Sequence, residues 1–111
     1  MITLIAGYDT TATIECTGPE GQQVNFATAS SVKAVIYDED DGTLLTSIYV
    51  CLIGTIGANW ATGLVAVNVL GADTLNKQGK NGKWEVKVVV AGVTTAYIDQ
   101  SCIRFVKGHI P

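Results

Sequence analysis

Residues 82–96, GKWEVKVVVAGVTTA, restrict the possible folds more than any other stretch of the chain. Trp84, Val86, Val88 and Val90 fall on one side of an extended backbone, while Lys83, Glu85 and Lys87 fall on the other. That alternation is the signature of a half-buried strand. Ala91-Gly92 breaks the pattern and Val93-Thr94-Thr95 resumes it in strand-favouring residues, which predicts a tight antiparallel hairpin.

The remaining segments repeat the theme at short spacing. Residues 1–6 read as a first strand, with Gly7-Tyr8-Asp9 as the bend after it. Residues 10–17 alternate with Ala12, Ile14 and Cys16 on one face, until Gly18-Pro19-Glu20-Gly21 stops them. Val24 and Phe26 are expected to pin a connecting segment onto the core. Residues 31–37 form the next strand, with Val32, Ala34 and Ile36 on one face. Residues 43–54 and 64–70 have no properly polar face, so both are expected to be covered on two sides, centrally or at an interface. Residues 72–75 allow a single helical turn, and residues 77–82 an exposed one. Residues 101–106 form a last strand, with Ile103 and Phe105 opposite Cys102, Arg104 and Val106. The expected fold is all-β: one domain over residues 1–106, a two-sheet antiparallel β-sandwich of about seven short strands, and a tail over 107–111.

At 111 residues such a domain buries about two thirds of its unfolded surface and folds without staples. Charged residues make up 15% of the chain against 48% hydrophobic, and an average soluble domain carries about 25% charge. With no run of about 20 apolar residues to span a bilayer, the apolar surplus is assigned to a subunit interface and not to lipid. The candidate interface residues are Leu45, Ile48, Val50, Val65, Val67 and Val69. A formal charge of −3, with scattered Lys and Arg, argues against a nucleic-acid partner. The N-terminal residues carry no secretory pattern, so synthesis in a cytosol is expected. Cys16, Cys51 and Cys102 are odd in number and lack CxxC spacing, which predicts buried thiols in place of disulfides or a zinc site.

Catalytic chemistry finds little to stand on. His109 is the sole histidine and lies near the chain end, where a general base lacks an orienting partner. The acidic run Asp38-Glu39-Asp40-Asp41-Gly42 reads as a solvated hairpin tip ending in a favoured Asp-Gly pair. Calcium binding there, or a small metal-dependent hydrolase around Asp38, Asp40 and Asp41, is the lesser reading, because the ligand spacing of a calcium loop is missing. No enzyme activity, cofactor, metal or small-molecule substrate is expected. Trp84 belongs to the core by its strand position. Trp60 reads as a structural plug; the alternative is a carbohydrate-binding module stacking a sugar on Trp60.

The order of motifs resembles a known family. An apolar strand ending in an acidic Asp-Gly hairpin (residues 32–42) precedes Asn59-Trp60-Ala61-Thr62-Gly63-Leu64-Val65-Ala66-Val67, similar to an aromatic-x-x-Gly-x-Val-x-Val segment. Leu70-Gly71-Ala72-Asp73-Thr74 follows, then Gly82-Lys83-Trp84-Glu85-Val86-Lys87-Val88, similar to a Gly-x-aromatic-x-Val-x-Val strand. Over residues 27–106 the chain resembles the immunoglobulin-like β-sandwich domains of tailed-phage virion proteins, notably the N-terminal domain of baseplate upper proteins and related tail or capsid accessory domains. The resemblance implies an immunoglobulin-like sandwich and a structural virion protein of tail, baseplate, neck or capsid decoration. Such a protein would be made in the host bacterial cytoplasm, bind other virion proteins and form homo-oligomers. The pattern departs from the family in lacking a long C-terminal extension that would carry a receptor-binding module.

Overall fold

The computed structural model describes residues 2–99 and 101–108. The hairpin at its centre joins β6 (Asn81–Val90) to β7 (Val93–Ile98), closed by the Val90–Val93 pair. Ala91 and Gly92 both have positive φ, 49° and 79°. A two-residue turn of that hand matches the right-handed twist of the strands it connects. On its other edge β6 pairs antiparallel with β3 (Ser31–Asp38), placing Val32 beside Val88, Ala34 beside Val86 and Ile36 beside Trp84. All six side chains are buried, so the alternation read in the sequence is the inner face of the main sheet. At the foot of this pairing a Cβ on Gly82 would lie 2.7 Å from Ile36 Cγ2 and 2.9 Å from the Tyr37 carbonyl oxygen. The strands meet there only because residue 82 has no side chain.

The main sheet runs β1 (Ile2–Ala6), β8 (Ile103–Lys107), β6, β3, β4 (Tyr49–Val50), with β7 also against β6. A second sheet pairs β2 (Thr10–Glu15) with β5 (Leu64–Val69). The inward residues of both, among them Ile14, Val65, Val67 and Val69 from the small sheet and Trp84, Ile103 and Phe105 from the large one, form one hydrophobic cluster. Two facing sheets around one apolar layer make an all-β sandwich, as expected. Phe26 and Val24 pack onto this cluster from the connecting segment, and residues Gly71–Thr74 form the single helical turn α1.

Three expectations need correction. With eight strands among the described residues the sandwich has about the number expected, but it is not purely antiparallel, because β1 lies parallel to β8 with Ile2 opposite Ile103 and Ala6 opposite Lys107. Residues 43–54 are not a centrally placed strand. Tyr37 faces Leu44, yet Ala34, three residues back along β3, faces Tyr49, five residues on. Two extra residues are therefore looped out, a bulge at Thr46-Ser47. There the Thr46 hydroxyl accepts the Ile36 N–H at 3.2 Å in place of a ladder carbonyl. Strand pairing resumes only at β4, the edge of the sheet. Asp38, expected in solvent, is buried at the end of β3.

Candidate functional site

On either side of the bulge, apolar residues turn outward. Leu44 before it, and Ile48, Val50, Leu52, Ile53 and Ile56 beyond it, are each at least half exposed, rising to 92% at Ile56. Residues 43–72 contain no Asp, Glu, Lys or Arg, so this strip carries no charge of its own. The Cys51 N–H bonds to the Val32 carbonyl at 2.8 Å. Successive residues of an antiparallel strand direct their amides to opposite sides, so Val50 presents its N–H and C=O to the open edge. Ile48 borders a shallow depression on the outer face of the main sheet with Lys33, Val35, Glu85 and Lys87.

A polar clamp fixes the strip to the body. The Tyr49 hydroxyl donates to Asp73 Oδ2 at 2.6 Å and accepts the Leu70 N–H at 3.3 Å, while Ser47 Oγ donates to Asp73 Oδ1 at 2.9 Å. Burial, and then the bond to Asp73, push the Tyr49 phenol up to about 12, and the same bond holds the Asp73 carboxyl below its usual range. Asp73 belongs to α1, which is itself held at both ends. The Gly71 N–H donates to Asp9 Oδ1 at 2.7 Å, and the buried Thr74 hydroxyl accepts the Gly7 N–H at 3.0 Å.

The candidate interface residues divide. Ile48 and Val50 lie on the exposed strip, whereas Leu45, Val65, Val67 and Val69 are buried in the chain's own core. On β5 the outer face belongs to Leu64, Ala66 and Asn68. Ala66 is covered by the chain itself, since a Cβ on Gly57 would reach Thr13 and Ala66 within 3.9 Å. The loop after β4 thus lies over the small sheet, which accounts for a strand without a fully polar face. Asn68, exposed and bonded to Thr11 Oγ1 at 2.8 Å, was the signal that marked this outer side. Leu44, Leu52, Ile53 and Ile56 went unnamed at the sequence level, because the bulge that turns the segment over has no local signature.

Trp60, at the head of a 3-10 turn (Trp60–Thr62), is 6% exposed and packs on Phe26 with ring centroids 6.0 Å apart. It is a plug, and offers no open ring face to a sugar. Its Nε1 is buried without a hydrogen-bond partner among the described residues.

At the acidic hairpin, Asp38 accepts the Asp40 N–H at 2.8 Å and pairs with Lys80 at 3.6 Å, while Glu39 pairs with Lys83 at 3.7 Å. Asp41 turns to the Thr43 hydroxyl and amide, which lower its pKa. The carboxylates therefore face separate partners, and among the described residues no three His, Cys, Asp or Glu side chains are grouped to hold a metal ion. His109 lies outside the described residues. Cys16 and Cys51 are buried thiols, raised to about 12 and about 11 chiefly by desolvation. Cys102 departs from expectation: it is only half-buried and its Sγ lies 3.3 Å from Glu39 Oε2, a contact that raises its pKa. A groove of about 500 Å³ opens between the turn at residues 18–21 and Tyr97-Ile98 of β7.

Fold and surface together define a β-sandwich domain with a clamped, charge-free apolar edge. Among known proteins, no family model, no curated protein and no solved structure matches the chain.

Proposed function

We propose that the protein is a non-enzymatic assembly subunit, a structural virion component of a tailed bacteriophage built on an immunoglobulin-like sandwich. The observation that carries the assembly reading is the run of exposed large apolar side chains between Leu44 and Ile56, an excess of exposed apolar residues of the kind that accompanies protein–protein contact. The phage assignment rests on the motif resemblance over residues 27–106 and on the pattern of short strands. In this reading the sandwich is a rigid block present in many copies, and its neighbours are other virion proteins of tail, baseplate, neck or capsid. Burial of the strip supplies the association energy, and the clamp at Tyr49 and Asp73 lowers the entropic cost by holding the surface in place beforehand.

The test is to incubate the purified protein with purified phage particles encoded beside its gene, pellet the particles, and follow the free protein by light scattering. Co-sedimentation, or self-association in solution, is expected. A strict monomer that leaves the particles bare overturns the proposal.

A further inference from the structure

The seam between the two sheets opens beside a strand edge that no other strand covers. The geometry points to a second binding surface there: a groove between β7 and the end of β2 that takes an extended, cationic segment of a partner polypeptide, added to the main sheet as a further strand along β7. This surface is separate from residues 44–56, and failure of either reading leaves the other standing.

The edge supplies the hydrogen bonds. The Asp99 N–H bonds to the Trp84 carbonyl at 3.1 Å, and amides alternate in direction along an antiparallel strand, so Thr94, Ala96 and Ile98 turn their N–H and C=O away from β6. Among the described residues no backbone group bonds to them on that side. Folded proteins blunt such edges with charge, proline, bulges or short length. β7, VTTAYI, is 6 residues long with no charge and no proline, and it pairs with β6 without a bulge. The groove follows this edge. It is lined by Thr95, Ala96, Tyr97 and Ile98 in succession, and across from them by residues 14–17 and the turn at 18–21. Successive residues of a strand point to opposite faces, so a groove that touches them all runs along the edge. Its far wall is held in place, with Thr17 paired to Gln23 and the Gly18 N–H bonded to the Gln22 carbonyl at 2.8 Å. Val93 and Thr95 share the inner face with the buried Val86 and Val88, yet both are exposed. The small sheet therefore stops short of β7, and the inward side chains of an added strand find room there.

Charge selects the occupant. Glu15 and Asp99 stand together at the end of the groove beside Ile14 and Val86, and among the described residues neither is in an ion pair. No Lys or Arg lines the groove. A basic side chain on the incoming strand meets those carboxylates and fixes its register. A second copy offering the same edge brings no cation, because β7 has none, so the segment belongs to another protein.

An array of capped peptides about eight residues long tests this: Lys, Ser or Glu is placed in turn at each position of an alternating Val-Thr sequence and probed with the purified full-length chain. Lys-bearing peptides should bind best, at least about tenfold tighter than their Glu counterparts. In the best binder, N-methylation of single backbone amides should abolish binding at every second residue, a pattern that side-chain contact alone does not produce. Ala96→Pro removes an edge donor and no bond to β6. That variant and Glu15→Lys, each with the wild-type circular dichroism spectrum, should weaken binding about tenfold, about 1.4 kcal/mol. Should Ala96→Pro fail to fold, the N-methylation series and Glu15→Lys decide without it. Strand addition at β7 is overturned if no peptide binds below about 1 mM, if N-methylation acts without alternation, or if Glu15→Lys leaves the Lys preference unchanged. Self-association of the wild type that Ala96→Pro removes also overturns it, since a second copy then occupies the edge.

Discussion

Asp38→Ala removes the partner of Lys80 and of the Asp40 amide at once. Lys80 is half exposed and regains water, so the loss falls mainly on the amide bond that shapes the hairpin tip. The expected cost is about 1–2 kcal/mol in urea unfolding, with Asp38→Asn, which keeps an acceptor, losing less. The thiols give a second test. Burial favours the neutral form, so Cys102 should label with iodoacetamide in the folded protein while Cys16 and Cys51 label only on unfolding. The sign of the pH effect follows. With folded values near 12 and 11 against an ordinary 9.0, the stabilisation is complete below pH 9 and lost as pH rises through 11 to 12. The urea midpoint should therefore fall between pH 8 and 10.5, and Cys16→Ala should flatten that fall.

At the scale of elements, the turn at Ala91-Gly92 is the clearest place to gain stability. Ala91 holds φ 49° with a Cβ, a conformation that Asn tolerates better, and Asn-Gly is the favoured pair for such turns. Ala91→Asn should stabilise the hairpin by about 0.5–1 kcal/mol, read as a raised midpoint at unchanged slope. The first strand of this hairpin was legible in the sequence because it has one wet face, Lys83, Glu85 and Lys87 against the Trp84 row, and β3 because Val32, Ala34 and Ile36 recur at every second residue. Residues 43–54 were not, since no residue there is charged and local pattern alone does not tell a covered strand from an exposed one. The deciding feature, a two-residue bulge satisfied by the Thr46 hydroxyl, depends on the register of β3. The same blindness named Val65, Val67 and Val69 as candidate interface residues, whereas they pack in the chain's own core and the loop around Gly57 covers the other face of their strand at Ala66.

Across the whole molecule, the least legible feature is the parallel pairing of β1 with β8, because nothing near Ile2 names Ile103 as its neighbour. Contacts this distant in sequence are formed late and slowly, so refolding should fall in the millisecond-to-second range by stopped-flow tryptophan fluorescence. Deleting residues 103–111 should abolish the cooperative urea transition, since it uncovers Leu4 and removes Ile103 and Phe105 from the core. The pairing also bears on how the chain is made. While a ribosome is still extending it, β1 has already emerged, yet its neighbour β8 is still to be synthesised. Between the emergence of β1 and the synthesis of β8, every nascent chain therefore carries an unmatched strand, and chaperones that shield such strands should govern the yield of folded protein.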